Sequence, residues 1–127
     1  TSMMVEIASR WIEDGTAQTL VRWQMEAASE RNKIADAHLQ GVPFLKSPTG
    51  LHVWLPLGER DETKFVELAR QSGVAVAPGA PFYVGDTSHK AAVRICLGGV
   101  PETELLQGLL KIRQLFSMQR EPPLQEL

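Results

Sequence analysis

Gly73-Val74-Ala75-Val76-Ala77-Pro78-Gly79-Ala80-Pro81-Phe82, followed across a polar loop by Ala91-Ala92-Val93-Arg94-Ile95-Cys96-Leu97-Gly98, is the stretch on which the reading of this chain turns. The first run is β-prone until Pro78-Gly79, where the backbone is expected to turn. The second is β-prone throughout, and Arg94 is its one charged side chain. Alternation puts Ala92, Arg94 and Cys96 on one face of that strand and Val93, Ile95 and Leu97 on the other. A guanidinium among apolar residues is costly unless an anion meets it. Arginine is also the side chain best shaped to hold a carboxylate through two parallel hydrogen bonds.

Working outward, the composition is that of an ordinary water-exposed domain. The chain has 127 residues, 43% of them apolar, and a formal net charge of -2. That length suits one modest core. No basic run or face points to nucleic-acid contact by this segment. The single cysteine, Cys96, excludes an internal disulfide and fits a reducing compartment, so the cytoplasm is the default location. No apolar run is long enough for a membrane-spanning helix, so no membrane partner is expected. Thr1-Ser2 stands directly before an amphipathic pattern, which reads as a start inside a longer protein.

Two helices are expected before residue 41. The first covers Met3–Asp14, with Ser2 as cap, an apolar stripe of Met4, Ile7, Ala8, Trp11 and Ile12, and Gly15 as terminator. The second runs from Ala17 to about Leu39, with Leu20, Val21, Met25, Ala28, Ile34, Ala35 and Ala37 on one face and Gly41 closing it. At roughly 35 Å it is long for so small a domain. Val42–Leu45 is extended, and Ser47–Gly50 is a turn. Leu51–Leu57 alternates as a strand, with Pro56 marking an edge or bulge. Asp61 or Thr63 caps a helix through Arg70, buried on Phe65, Val66, Leu68 and Ala69. Strand Val74–Ala77 follows in the manner of a β-α-β crossover. After the Pro78–Lys90 turn come strand Ala91–Leu97 and a last helix opened by Pro101 and Glu102, carrying Leu105, Leu106, Leu109, Leu110, Ile112, Leu115 and Phe116. The tail, residues 121–127, is expected to fray. The fold class is α+β: long N-terminal helices, then strand-helix-strand-strand-helix, with the helices on one face of a small sheet. The expected organisation is a helical segment over 1–41 and a small α/β domain over 42–120.

Spacing alone leaves two roles open for Arg94, an anion-binding cation or a strand-edge arginine paired with a surface carboxylate. Pro78 and Gly79 are either pocket-lining or simply a turn. His52 and Trp54, opposite the leucines of their strand, lie near a ligand or pack against another domain or the long helix. His38, His52 and His89 lack metal-ligand spacing, so no metal is expected. There is no glycine-rich phosphate loop, and Lys33, Lys46, Lys64, Lys90 and Lys111 all sit in exposed-looking stretches. By itself the chain has no catalytic apparatus.

Three stretches in order, Gly50–Leu55, Gly73–Gly79 with Phe82, and Val93–Gly98 ahead of an amphipathic helix, resemble the C-terminal small domain of fold-type I pyridoxal-phosphate aminotransferases. The likeness is greatest to the aminotransferase-like half of MocR-type transcriptional regulators of the GntR group. It implies that Arg94 binds an amino-acid α-carboxylate and that Pro78, Gly79, Phe82 and Trp54 line the neighbouring cleft. It further implies pyridoxal phosphate in a longer parent, held by a large domain outside this chain, so that the fragment binds no cofactor. A homodimeric parent and a DNA-binding domain upstream are also implied. One departure is Leu20–Met25, where the family often carries a His/Arg-rich pattern. A plain aminotransferase and a stand-alone amino-acid-binding regulatory module are the rival readings.

Overall fold

A computed structural model describes residues 1–85 and 88–119. Its element order is α1 (Ser2–Glu13), α2 (Thr16–His38), β1 (Leu45–Lys46), β2 (His52–Pro56), α3 (Glu62–Gln71), β3 (Ala77–Pro78), a 3₁₀ turn (Ala80–Phe82), β4 (Ala92–Cys96) and α4 (Glu102–Met118). This is the expected α+β arrangement with one short strand added at Leu45–Lys46. The tail expected to fray lies outside the described residues.

The sheet order is β1-β2-β4-β3, and every neighbouring pair is antiparallel. Strands β2 and β3, joined through α3, therefore run parallel, as a crossover requires, but β4 lies between them. The crossover is split by the last strand in the sequence.

Alternation decides which side of the sheet is dry. Val53, Leu55 and Leu57 of the β2 segment and Val93, Ile95 and Leu97 of the β4 segment are buried together. Against them lie Ala35 and Leu39 from α2 and its end, Phe65 from α3, and Leu105, Leu109, Ile112 and Phe116 from α4. The helices thus cover one face. Only the second half of α2 takes part: Ala28, Asn32 and Ala35 are buried, whereas Leu20, Val21 and Met25 are exposed. No residue of α1 is buried, so the stripe of Met4, Ile7, Ala8, Trp11 and Ile12 faces solvent here.

Polar groups fasten the long helix to the sheet's end. Arg31 Nη1 donates to Leu97 O at 2.7 Å. Asn32 Nδ2 donates to Gly50 O and to Ala28 O, each at 2.8 Å. Lys46, on the helix-facing side of β1, meets Asp36 of α2 at 3.2 Å.

Local chemistry at the two ends of α3 confirms one expected boundary and shifts another. Asp61 is the cap of α3, its Oδ1 accepting from Lys64 N at 2.7 Å. At the other end Gly73 adopts φ 87°, Gly73 N donates to Arg70 O and Val74 N to Ala69 O. That is a Schellman closure. Val74 is therefore spent on capping the helix, and the strand expected over Val74–Ala77 pairs only at Ala77–Pro78. Pro56 is tolerated inside β2 because its partner there is Ala92 of β4, while β1 is too short to reach it on the other side.

Candidate functional site

The uncovered face of the sheet carries the site. Register places Trp54 of β2, Arg94 of β4 and Ala77 of β3 directly opposite one another. Residues paired this way share a face, so a tryptophan, an arginine and a small residue form one row across three strands. Arg94 is on an interior strand, not an edge.

Above this row the chain folds back as the Ala80–Phe82 turn, which brings three aromatic rings together. Phe82 stands edge-on to Trp54, with centroids 6.1 Å apart at 88°. Tyr83 approaches the same tryptophan at 6.0 Å, and its hydroxyl donates to Lys90 O at 3.0 Å. The Arg94 guanidinium carbon lies 4.6 Å from the centre of the Phe82 ring, a cation–π contact.

Arg94 makes no ion pair with a carboxylate among the described residues. Its Nε is buried without a hydrogen-bond partner among them. Of the two roles left open by spacing, pairing with a surface carboxylate is therefore not seen among the described residues. What is seen is a half-buried cation facing the Phe82 ring, with donor capacity to spare. Such an arrangement can receive an oxyanion. Aromatic walls exclude water and strengthen the attraction by lowering the local dielectric.

Gly79 is what lets the turn sit so close. A Cβ built there would lie 2.8 Å from Ala92 O and 3.0 Å from Trp54 Cη2. Its φ of -76° is available to any residue, so the demand for glycine is steric. Gly79 N also donates to Ala92 O at 2.8 Å. Pro78, by contrast, is in register with Val93, on the helix-facing side, and is exposed at the sheet's edge. Trp54, Gly79 and Phe82 come together with Arg94; Pro78 does not. His52, paired with Cys96 on the same face as Arg94, is exposed.

One residue of the site gave no signal in sequence beyond being an acid in a helix's first turn. Glu62 turns its carboxylate away from solvent, with its side chain 12% exposed. Oε2 accepts from Ala80 N at 3.2 Å and Oε1 from Ala92 N at 3.1 Å. His89 Nε2 stands 3.6 Å from Oε1.

The chain's own residues do not fit pyridoxal phosphate. Lys33 is engaged by Glu30, Lys46 by Asp36 and Lys111 by Ser72 O. Lys64 and Lys90 are exposed, so no desolvated amine faces Arg94. Among the described residues no three His, Cys, Asp or Glu side chains gather as a metal site, and no helix is long and apolar enough to cross a membrane.

No protein-family model matches the chain. It is 32% identical over 117 residues to the uncharacterized HTH-type transcriptional regulator YdeF of Bacillus subtilis (strain 168), a match covering 90% of this chain and 25% of the regulator. Among solved structures it superimposes on the multiple substrate aminotransferase of Thermococcus profundus with a TM-score of 0.77 and 26% identity, over 89% of this chain and 29% of the enzyme. An archaeal alanine:glyoxylate aminotransferase matches with a TM-score of 0.71 and 28% identity, over the same shares of each chain. The kynurenine aminotransferase of Pyrococcus horikoshii shares the fold, with a TM-score of 0.77 at 22% identity. The chain thus spans between a quarter and three tenths of the proteins it resembles.

Proposed function

We propose that this chain, an aminotransferase-like fragment with the small-domain fold, supplies the carboxylate-binding arginine of a MocR-type transcriptional regulator. In the longer protein a large domain would hold pyridoxal phosphate, and this domain would close over it. Arg94 would then meet the α-carboxylate of an amino acid, while Trp54 and Phe82 wall the cleft. A separate domain would bind DNA in the cytoplasm, and the parent would be a homodimer.

The observation that carries the reading is the half-buried guanidinium of Arg94, faced by the Phe82 ring and without a carboxylate among the described residues. The similarity to an HTH-type regulator favours a sensing parent. Since Nε is already shielded, the expected contact is end-on, through the two terminal nitrogens.

The test is Arg94→Ala and Arg94→Lys in the longer protein, with amino-acid binding followed by the cofactor's absorbance change. Losing a charge-assisted pair is worth on the order of 2–3 kcal/mol, so affinity for the amino acid should fall roughly 30- to 150-fold in Arg94→Ala. Arg94→Lys should recover part of it, since an ammonium keeps the charge but not the fork. Unchanged affinity in Arg94→Ala would refute the assignment. The structural likeness to aminotransferases also favours a second reading, a plain aminotransferase. Sustained amino-group transfer to a keto acid, with no DNA binding by the longer protein, would select it.

A further inference from the structure

Three separated points of the segment between β3 and β4 converge on one carboxylate. Ala80 N, at the start of the aromatic turn, donates to Glu62 Oε2 at 3.2 Å. Ala92 N, where the segment rejoins the sheet, donates to Oε1 at 3.1 Å. His89 approaches Oε1 at 3.6 Å and lies against Tyr83, with ring centroids 5.0 Å apart and planes tilted by 37°. Glu62 is the first residue of α3, and Asp61 immediately before it already supplies the helix cap. The Glu62 side chain is therefore free of capping duty and reaches sideways to the loop.

We infer that Glu62 is a positioning residue for the Arg94 site: it pins the Ala80–Phe82 turn to β4 so that Phe82 stays over the guanidinium and Trp54. The inference rests on the carboxylate-binding reading of Arg94 given above. Ala80 N and Ala92 N lie at the two ends of a segment that must leave the sheet and return to it. A single acceptor group bridging both ends sets how far the turn can swing. Phe82 is two residues from the first of these bonds, and Arg94 is two residues from the second. Displacing the turn uncovers the guanidinium face and admits water, which weakens its hold on an anion. Ala80 N has no other acceptor among the hydrogen bonds of the described residues, so losing Glu62 leaves it to water.

The experiment is titration of the longer, cofactor-loaded protein by calorimetry with each of the twenty standard amino acids in turn, taking the tightest binder as probe. Glu62→Ala, which removes both acceptors, should weaken that binding at least tenfold. Glu62→Gln keeps the volume and one acceptor, and should lose less. Asp61→Ala damages the same helix end without touching the loop, and should bind as the unaltered protein does. The loss from Glu62→Ala should shrink when introduced on top of Arg94→Ala, which a general loss of stability would not produce. In the 127-residue chain, with Trp11 and Trp23 replaced by Phe, emission of the remaining Trp54 should shift to the red in Glu62→Gln, a readout that holds even if Glu62→Ala fails to fold. If both Glu62 variants bind normally while Arg94→Ala does not, the positioning role is overturned and the carboxylate reading survives. If Arg94→Ala binds normally, the carboxylate reading falls and this inference with it.

Discussion

Replacing Gly79 by alanine tests whether the aromatic turn is built as tightly as its geometry says. The added methyl would meet Ala92 O at 2.8 Å, Trp54 Cη2 at 3.0 Å and the Ala92 carbonyl carbon at 3.2 Å. Two of these are backbone atoms of an interior strand. The third belongs to an indole held edge-on by both Phe82 and Tyr83. None is the free end of a flexible side chain, so relief requires moving the turn or the ring. Overpacking of this kind costs about 1–3 kcal/mol. Against it stands a gain of about 0.4–1 kcal/mol from stiffening the unfolded chain, since the Gly79 dihedrals suit alanine. The net expectation is a destabilisation of about 1–2 kcal/mol. Urea unfolding of the 127-residue chain, followed by far-UV circular dichroism, measures it. Gly98→Ala is the control, because a Cβ there meets only the Leu51 methyls, Cδ2 at 3.6 Å and Cδ1 at 4.0 Å, both ordinary contacts. If Gly79→Ala were as stable as the unaltered chain, or more stable, the close approach of turn, strand and indole would be refuted.

Other substitutions probe the frame around the site. Phe65→Ala empties a fully buried position beneath the sheet and should cost about 3–5 kcal/mol in the same unfolding assay. Asp61→Ala removes the only side-chain cap seen on α3 and should cost about 1 kcal/mol. The Glu67 carboxylate accepts from Arg70 at 2.7 Å and 3.1 Å, and that hydrogen bonding, helped by Gln71, holds its pKa below the ordinary 4.5. A depressed folded pKa contributes stability above the ordinary value and loses it as pH falls through the folded one. An NMR titration of the glutamate carboxyl carbons should therefore find Glu67 titrating below 4.5, with its midpoint returning upward in Arg70→Ala.

Much of the frame was legible because it follows from local rules. The period-two alternation of Leu51–Leu57 and Ala91–Leu97 correctly assigned the dry and open faces, and with them the shared side of Trp54 and Arg94. Helix ends marked by Asp61 and Gly15, and the end expected at Arg70, fell within a residue or two of their places. What escaped was set by partners distant in sequence. Leu45–Lys46 became a strand only because β2 offered it an edge. The strand at Val74 is the local exception: it shortened because the cap of the preceding helix claimed the same amide. Pro78 sits on the side opposite to the one expected of a cleft residue because register with Val93 decides it. The apolar positions of α1 and the first half of α2 have the period of a buried stripe, yet period reports only the ability to be covered, and nothing among the described residues covers them. The link from Glu62 to Ala80 and Ala92 spans 18 and 30 residues, and no local pattern encodes it.

The position of β4 between β2 and β3 also dictates an order of events during synthesis. A growing chain that has passed residue 91 already contains every strand but one, yet it has no complete sheet. β2 then has a bare edge, and Ala77–Pro78 has no strand to pair with, since its one neighbour is β4. The bond from Ala92 N to Glu62 Oε1 likewise waits for Ala92. The cation and the strand that docks the aromatic turn thus arrive together, in five consecutive residues. A ribosome product that stops short of them exposes two strand edges ready for stray pairing. Synthesis of β4 and assembly of the aromatic turn are one event.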